Sequence, residues 1–375
     1  MTTASFPSTA AASIAARANK MKALIAMSGG VDSSVAAFLI RQKGVDAIGC
    51  MMKLFSNEAA GLAPGRSCCS LDDSEDARAV AFRLGMPFYV FNYQEEFRRE
   101  VMERFAKSYA AGLTPNPCID CHRFLKFGAL YERARLLGCD FLVTGHYARI
   151  EQGAEGWLLK KALAPEKDQS YVLYELTQEQ LAHSQFPLGG MCKAEVRALA
   201  ETQGFLNAKK PDSQDICFVP DGDHVAVIER LTGQASVPGD FVDRNGHVYG
   251  RHRGIAHYTV GQHRGLELFY HEALYVISID PVRNTVVLGP KEALYSDAAT
   301  VGSVHWICGK APERPFRCTA KIRYRAPEAS VTVTPLGADR ARLQFDQPQR
   351  AITPGQAAVL YDGETVLGGG RFERS

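Results

Sequence analysis

The chain has 375 residues, 46% of them hydrophobic, and a formal net charge of +2. That length exceeds one ordinary core and calls for two or three domains. The near-neutral balance excludes a polycation, so any nucleic-acid binding must rest on local patches. No apolar run reaches the ~20 residues that span a bilayer, so no membrane partner is expected. Ten irregularly spaced cysteines fit the reduced thiols of a cytoplasmic protein better than a secreted disulfide framework.

Residues 1–20, rich in Ala, Ser and Thr, read as a disordered tail. From residue 21 to about 209, apolar runs alternate with helical patterns. Strands are expected over 22–27, 46–55, 87–91 and 140–144, with helices over 35–43, 72–84, 95–111, 117–137 and 192–204. Gly44, Gly85 and Gly112 stand at helix ends. The fold class is therefore α/β, a doubly wound parallel sheet with ligands at the carboxyl ends of its strands. Beyond residue 210 the texture changes to Gly/Pro turns and short alternating runs. Runs at 248–259, 273–280 and 285–288 predict a small β-rich central domain over 210–295. Runs at 317–325, 330–334, 340–345, 357–361 and 365–371 predict a C-terminal β-barrel over 296–375.

Ser28-Gly29-Gly30-Val31-Asp32-Ser33-Ser34 lies between the first strand and the first helix. Glycines let the backbone come close to a ligand, and a helix N-terminus favours negative charge, so this turn is an anion site. Asp32 and Ser33 are candidate helix caps, and Asp32 is a candidate Mg²⁺ ligand against phosphate oxygens. An ordinary capped turn between strand and helix would use the same residues. No Gly-Lys-[Ser/Thr] follows, which excludes the Walker loop.

Asn116-Pro117-Cys118-Ile119-Asp120-Cys121 opens a helix, with Asn116 as N-cap and Pro117 at N1. The positive helix end, with Arg123 and Lys126 nearby, favours thiolates, and Cys118 more than Cys121. A further thiol, Cys217, follows Asp212-Ser213-Gln214-Asp215-Ile216. Cys139, Cys192, Cys308 and Cys318 read as small hydrophobes.

The turn Ser28–Ser33 resembles the pyrophosphate loop of the N-type ATP pyrophosphatases. Taken with Thr114–Pro117, Cys121, Lys126-Phe127, Thr144–Arg149, Lys167–Tyr171, Asp212–Phe218 and Thr353–Gln356, in that order, the chain resembles the tRNA-specific 2-thiouridylases. The resemblance runs from about residue 21 to the end. It implies that Cys121 is the nucleophile and Cys217 the persulfide carrier, joined transiently as a disulfide. It implies ATP binding by Ala26, Met27, Ser28, Gly29, Gly30, Val31, Asp32 and Ser33, with Met52 and Gly145. Asn116, Pro117 and Cys118 would approach the target base. His146, Lys167, Asp168, Gln169, Arg323, Tyr324 and Gln356 would contact tRNA. A variant has Cys118, Cys121 and Cys217 ligate a [4Fe-4S] cluster with one open iron. The implied partners are tRNA and a protein sulfur donor, either a cysteine desulfurase or a relay protein. Two departures stand out: His122 replaces the usual Asn, and Glu267–Glu272 replaces a glycine-rich continuation.

Lys321, Arg323 and Arg325 would share one strand face by period two, and Lys209-Lys210, Arg251/Arg253 and Arg98-Arg99 add basic pairs for an RNA backbone. His146 and Tyr147 are candidate stacking partners for a flipped base. The competing functions are another ATP pyrophosphatase with a nitrogen nucleophile, such as an amidotransferase-type or lysidine synthetase, and a non-catalytic RNA-binding protein with a structural metal.

Overall fold

The computed structural model describes residues 21–56, 71–211, 216–219, 221–268 and 270–374. The tail expected over 1–20, the Asp212-Ser213-Gln214-Asp215 stretch and Phe269 lie outside them. Strands β1 (Lys22–Ala26), β2 (Asp46–Lys53), β3 (Phe88–Asn92), β4 (Phe141–Val143), β5 (Ala148–Gly153), β6 (Gly156–Lys161) and β7 (Ser184–Gln185) belong to the N-terminal half. Five of them form one parallel sheet in the order β3-β2-β1-β4-β7. β1 sits at the centre because every residue of its Ala-Leu-Ile run is apolar and buried, as a strand covered on both faces requires. Its side chains divide by period two: Leu24 enters one core, while Ala23 and Ile25 enter the other.

Helix α1 (Val31–Gln42) follows β1, and α2 (Leu71–Arg83) precedes β3. Helix α3 runs through Gln94–Phe97, a π-helical turn Arg98–Met102 and Glu103–Ala110. Helix α4 runs through Pro117–Asp120, a π-helical stretch Cys121–Ala129 and Leu130–Leu136. Gly128 permits the wide turn, because a Cβ there would sit 2.8 Å from the Arg123 carbonyl oxygen five residues back. Helices α5 (Gln178–Ala182), α6 (Lys193–Thr202) and α7 (His224–Thr232) complete the set used below. Strand order reverses between β1 and β4, which opens a crevice at their carboxyl ends.

β8 (Gly239–Val242), β9 (Val248–His252), β10 (Tyr275–Asp280) and β11 (Thr285–Gly289) form the central sheet in the order β10-β11-β8-β9. Helix α7 falls in the region expected to be β-rich, and its Val227 and Ile228 join the core of the parallel-sheet domain. β12 (Tyr295–Trp306), β13 (Phe316–Lys321), β14 (Ala329–Pro335), β15 (Ala341–Arg350), β16 (Ala357–Asp362) and β17 (Thr365–Phe372) close a barrel through the β12–β17 pairing. The β5–β6 hairpin extends this barrel sheet, pairing Lys160 with Thr365. β12 escaped the sequence reading because its alternation is broken by a bulge and by Ser303 at φ +50°. The strand expected to run to Arg325 ends at Lys321, where the chain turns. Arg323 and Arg325 therefore do not share a strand face with Lys321, which turns toward Asp168 (4.0 Å) and the Tyr361 ring.

The barrel grips the segment that enters α4. The Thr114 N–H donates to the Pro354 carbonyl, the Gln356 amide donates to the Thr114 carbonyl, and both bonds are 2.9 Å. Gly355 lies between them at φ +90°, where a Cβ would stand 3.0 Å from the Thr114 nitrogen. Glu267, in the segment where the resemblance predicts glycine, adopts φ +56°. A left-handed conformation costs an L-residue roughly 1–2 kcal/mol, partly offset by the greater chain entropy that glycine loses on folding. Glu267→Gly is therefore expected to leave stability unchanged or raise it by up to about 1 kcal/mol in denaturant titrations; a loss of stability would contradict the strain.

Candidate active site

The first helix begins at Val31, four residues earlier than expected, with Gly30 as its N-cap. Asp32 and Ser33 therefore lie inside the first turn, and neither caps it by a side-chain hydrogen bond. Ser33 Oγ instead donates to the Gly30 carbonyl (3.0 Å) and accepts from the Ser28 N–H (3.2 Å), which folds the loop on itself. Gly29 is at φ +79°, and a Cβ there would meet the Asp73 carbonyl oxygen at 2.3 Å. Gly145, one residue beyond Thr144 at the end of β4, lies so close to α1 that a Cβ would be 2.8 Å from the Ser33 nitrogen. Ala26, Met27, Val31 and Met52 pack around the same strand ends, with Met27, Val31 and Met52 buried.

Two residues outside any motif hold Asp32. Lys193 Nζ reaches both carboxylate oxygens (2.8 and 2.9 Å), and the Tyr147 hydroxyl donates to one of them (2.7 Å). Lys193 starts α6 and has no sequence signature that ties it to the loop. Asn207 donates to the Gly29 carbonyl and to Ser34 Oγ, both at 2.9 Å. Lys210, read as part of a basic RNA-facing pair, is committed to Asp73 (2.5 Å) and Asp76 (2.7 Å) beside the loop. Arg98, Arg99, Arg251 and Arg253 likewise carry acidic neighbours.

Asn116 caps α4 as expected, accepting from the Cys118 N–H at 3.1 Å, with Pro117 at N1. Cys121 is buried and Cys118 exposed. The Cys118 sulfur nonetheless has protein around most of it; that dehydration raises its pKa against the pull of Lys126. The helix end therefore does not make Cys118 a ready thiolate. Cys217 is half-buried and packs on the core that contains Cys121. Its neighbour Phe218 inserts edge-on between Phe97 (5.6 Å) and Phe105 (5.3 Å) of α3, and α3 packs against α4.

His122 and His146 meet between the thiol helix and the strand end beside the Ser28–Ser33 loop. Their Nε2 atoms are 2.8 Å apart, His122 Nδ1 is 2.5 Å from the Cys118 carbonyl, and His146 Nδ1 is 2.6 Å from Thr144 Oγ1. Burial, then Lys126 and the neighbouring ring, holds the His122 pKa well below the ordinary histidine value; burial and Lys126 do the same for His146. His146 is no open stacking platform here, because its ring already faces Phe127 and Phe186.

The other expected tRNA contacts spread along the barrel junction. Asp168 is buried and accepts from Ala162 N–H, Ser170 N–H and Ser170 Oγ. Gln169 accepts from the Tyr147 N–H, Arg323 donates to the Arg350 carbonyl, and Gln356 holds Thr114. Tyr324 is exposed and donates to the Asp168 carbonyl, and Lys167 lies one residue before it on the same turn. The carboxylate of Asp120, directly before Cys121, is buried against Arg371 of β17. No motif marked that pair.

The loop suits a nucleotide phosphate: two close-approach glycines, a helix N-terminus, and a lysine and a carboxylate beside them. A three-cysteine cluster site fits less well. Among the described residues no three His, Cys, Asp or Glu side chains converge as metal ligands, so Cys118, Cys121 and Cys217 do not form a ready set.

Because the two histidines have depressed pKa values when folded, the unfolded chain takes up protons that the folded one refuses. Stability is complete above the ordinary histidine range and falls as pH drops through about 6.5, by up to about 1.4 kcal/mol per pH unit for each ring. Denaturant titrations between pH 7.5 and 5.5 should show this slope, reduced in His122→Asn; identical slopes would refute it.

Three protein-family models match the chain in order. They are a tRNA methyl transferase HUP domain over 21–221, a tRNA methyl transferase PRC-barrel domain over 226–290 and an aminomethyltransferase β-barrel domain over 296–372. The chain is 48% identical to the tRNA-specific 2-thiouridylase MnmA of Symbiobacterium thermophilum over 360 residues, 94% of this chain and 92% of that one. It is 48% identical to the enzyme of that name from Geotalea uraniireducens, over 95% of this chain and 96% of that one. For Clostridioides difficile the figures are 45%, 94% and 98%. A solved 4-thiouridine synthetase bound to RNA and ATP matches 57% of this chain and 54% of that one at 17% identity, with a TM-score of 0.33, too remote to bear on the argument. Near-complete coverage at this identity decides the matter: the chain belongs to the tRNA-specific 2-thiouridylase family of sulfurtransferases.

Proposed function

We propose that this protein thiolates the 2-position of the wobble uridine of tRNA at the expense of ATP. The observation that supports it most is the continuous contact from the phosphate loop to the thiol helix: Asp32 and Ser33 against Gly145, His146 against His122, and His122 beside Cys121. A uracil 2-carbonyl oxygen is a poor leaving group, and adenylation turns it into AMP. In this reading Gly29, Gly30 and the N-terminus of α1 cradle the phosphates, and Asp32, released from Lys193, is the residue suited to a Mg²⁺ ion.

Sulfur arrives as a persulfide on Cys217, delivered by a protein donor. Its terminal sulfur attacks the activated ring carbon and AMP departs. Cys121 then attacks the Cys217 sulfur of that bond, which frees the thiolated base and leaves a Cys121–Cys217 disulfide for reduction. The anchoring of Phe218 between Phe97 and Phe105 supports a short path between the two thiols, since it ties the Cys217 segment to the helix that packs on α4. The tRNA would lie along Lys167, Tyr324 and the barrel junction, and its affinity should fall as salt rises.

The test is purified protein with tRNA, ATP and a persulfide donor, reading pyrophosphate release and 2-thiouridine by mass spectrometry. Cys121→Ala and Cys217→Ala should each lower thiolation by at least roughly a hundredfold while tRNA-dependent pyrophosphate release persists. Full thiolation in either variant would favour a nitrogen-nucleophile enzyme or another sulfur route. Gly29→Ala should abolish both readouts, because the new Cβ would strike backbone that cannot move aside; normal pyrophosphate release there would remove the loop from the mechanism.

A further inference from the structure

Neither half of this reaction uses His122 or His146 as a reactant, yet the two rings stand between the halves. Their hydrogen bonds have only one consistent proton order. A backbone carbonyl can only accept, so His122 Nδ1 carries the proton given to the Cys118 carbonyl. In a neutral ring His122 Nε2 is then an acceptor, and His146 Nε2–H must donate to it across 2.8 Å. His146 Nδ1 is left as an acceptor, and the Thr144 hydroxyl donates to it. Every ring nitrogen is matched with no spare proton, which fixes both rings in orientation as well as place. Lys126 Nζ, 3.4 Å from His122 Nε2, is a cation facing the pair, and the rings of Phe127 and Phe186 pack against it.

One end of this chain is anchored to the loop and the other to the thiols. His146 follows Gly145, which touches the first turn of α1. His122 follows Cys121 and binds the carbonyl of Cys118. We propose that His122 and His146 are positioning residues: an imidazole pair that fixes the turn bearing Cys118 and Cys121 against the strand end at the phosphate loop, so that sulfur transfer outruns hydrolysis of the activated base. The inference rests on the ATP-dependent thiolation proposed above. The competing step is balanced without further reagents: water attacks the activated carbon, AMP leaves with the former carbonyl oxygen, a proton is released, and uridine is restored. Loosening the strut therefore consumes ATP without making product.

The readout is the number of AMP molecules formed per 2-thiouridine, with tRNA and persulfide donor in excess. Wild-type protein should give a ratio near one. His122→Phe keeps the ring shape but neither nitrogen, and should raise the ratio by at least about tenfold, within the roughly hundredfold cost that a 1 Å misplacement of reacting groups can carry. His122→Gln, which can still accept from His146, should restore most of the coupling. Should His122→Phe fail to fold, the near-isosteric Thr144→Val carries the test, since it removes only the donor that fixes the His146 proton; its ratio should also rise. A ratio of one in His122→Phe, or in Thr144→Val where that variant is the one that folds, would overturn the proposal, because a purely structural defect lowers AMP and product together. Absence of tRNA-dependent AMP in the wild-type protein would instead sink the function on which the proposal rests.

Discussion

Everything at this site depends on two places where the backbone comes closer than any side chain allows. Gly29 abuts Asp73 of α2, and Gly145 abuts the first turn of α1. A methyl group at either would occupy the space of a carbonyl oxygen or a peptide nitrogen, and at Gly29 the backbone is also left-handed. Both contacts lie at the crevice where strand order reverses between β1 and β4, the position where open α/β sheets bind ligands. The sheet topology makes the crevice, and the absence of two Cβ atoms lets the loop line it. Lys193, Tyr147 and Asn207 then reach in from later in the chain, since only a closed crevice brings them within hydrogen-bond distance.

The thiol helix is held from the opposite side by a buried charge. Asp120 would be costly to bury alone, and Arg371 of the barrel answers it, with Glu175 nearby at 4.0 Å. Burial works against the Arg371 charge, but Asp120 and its other anionic neighbours outweigh it and raise its pKa further. The barrel thus acts on the thiol helix itself. Through Arg371 and the Pro354–Gln356 turn it fixes both the entry and the first turn of α4, directly before Cys121.

Local rules made much of this legible in the sequence. The apolar runs of β1, β2 and β4, the Asn116-Pro117 cap and the glycine stops all declare themselves within a few residues. Period two failed where bulges or a turn interrupt it, as in β12 and after Lys321. The β5–β6 hairpin was hidden for a different reason: its partner, β17, lies some two hundred residues away, and no local pattern announces that pairing. Basic pairs misled because charge is visible in sequence while its partner is not; Lys210 reads as free until Asp73 and Asp76 fold against it. His122 and His146 were each conspicuous singly, but their contact is a tertiary fact.

The thiols illustrate why exposure and reactivity must be argued separately. Helix position and solvent contact both single out Cys118, yet the protein packed around its sulfur favours the neutral thiol. Thiolate is the form that attacks, so accessibility alone does not make Cys118 a sulfur acceptor. The neutral histidines sharpen this: two imidazolium rings beside α4 would have drawn the nearby thiols toward thiolate, and burial removes that influence. Lys126 remains as the cation that faces both the histidine pair and Cys118.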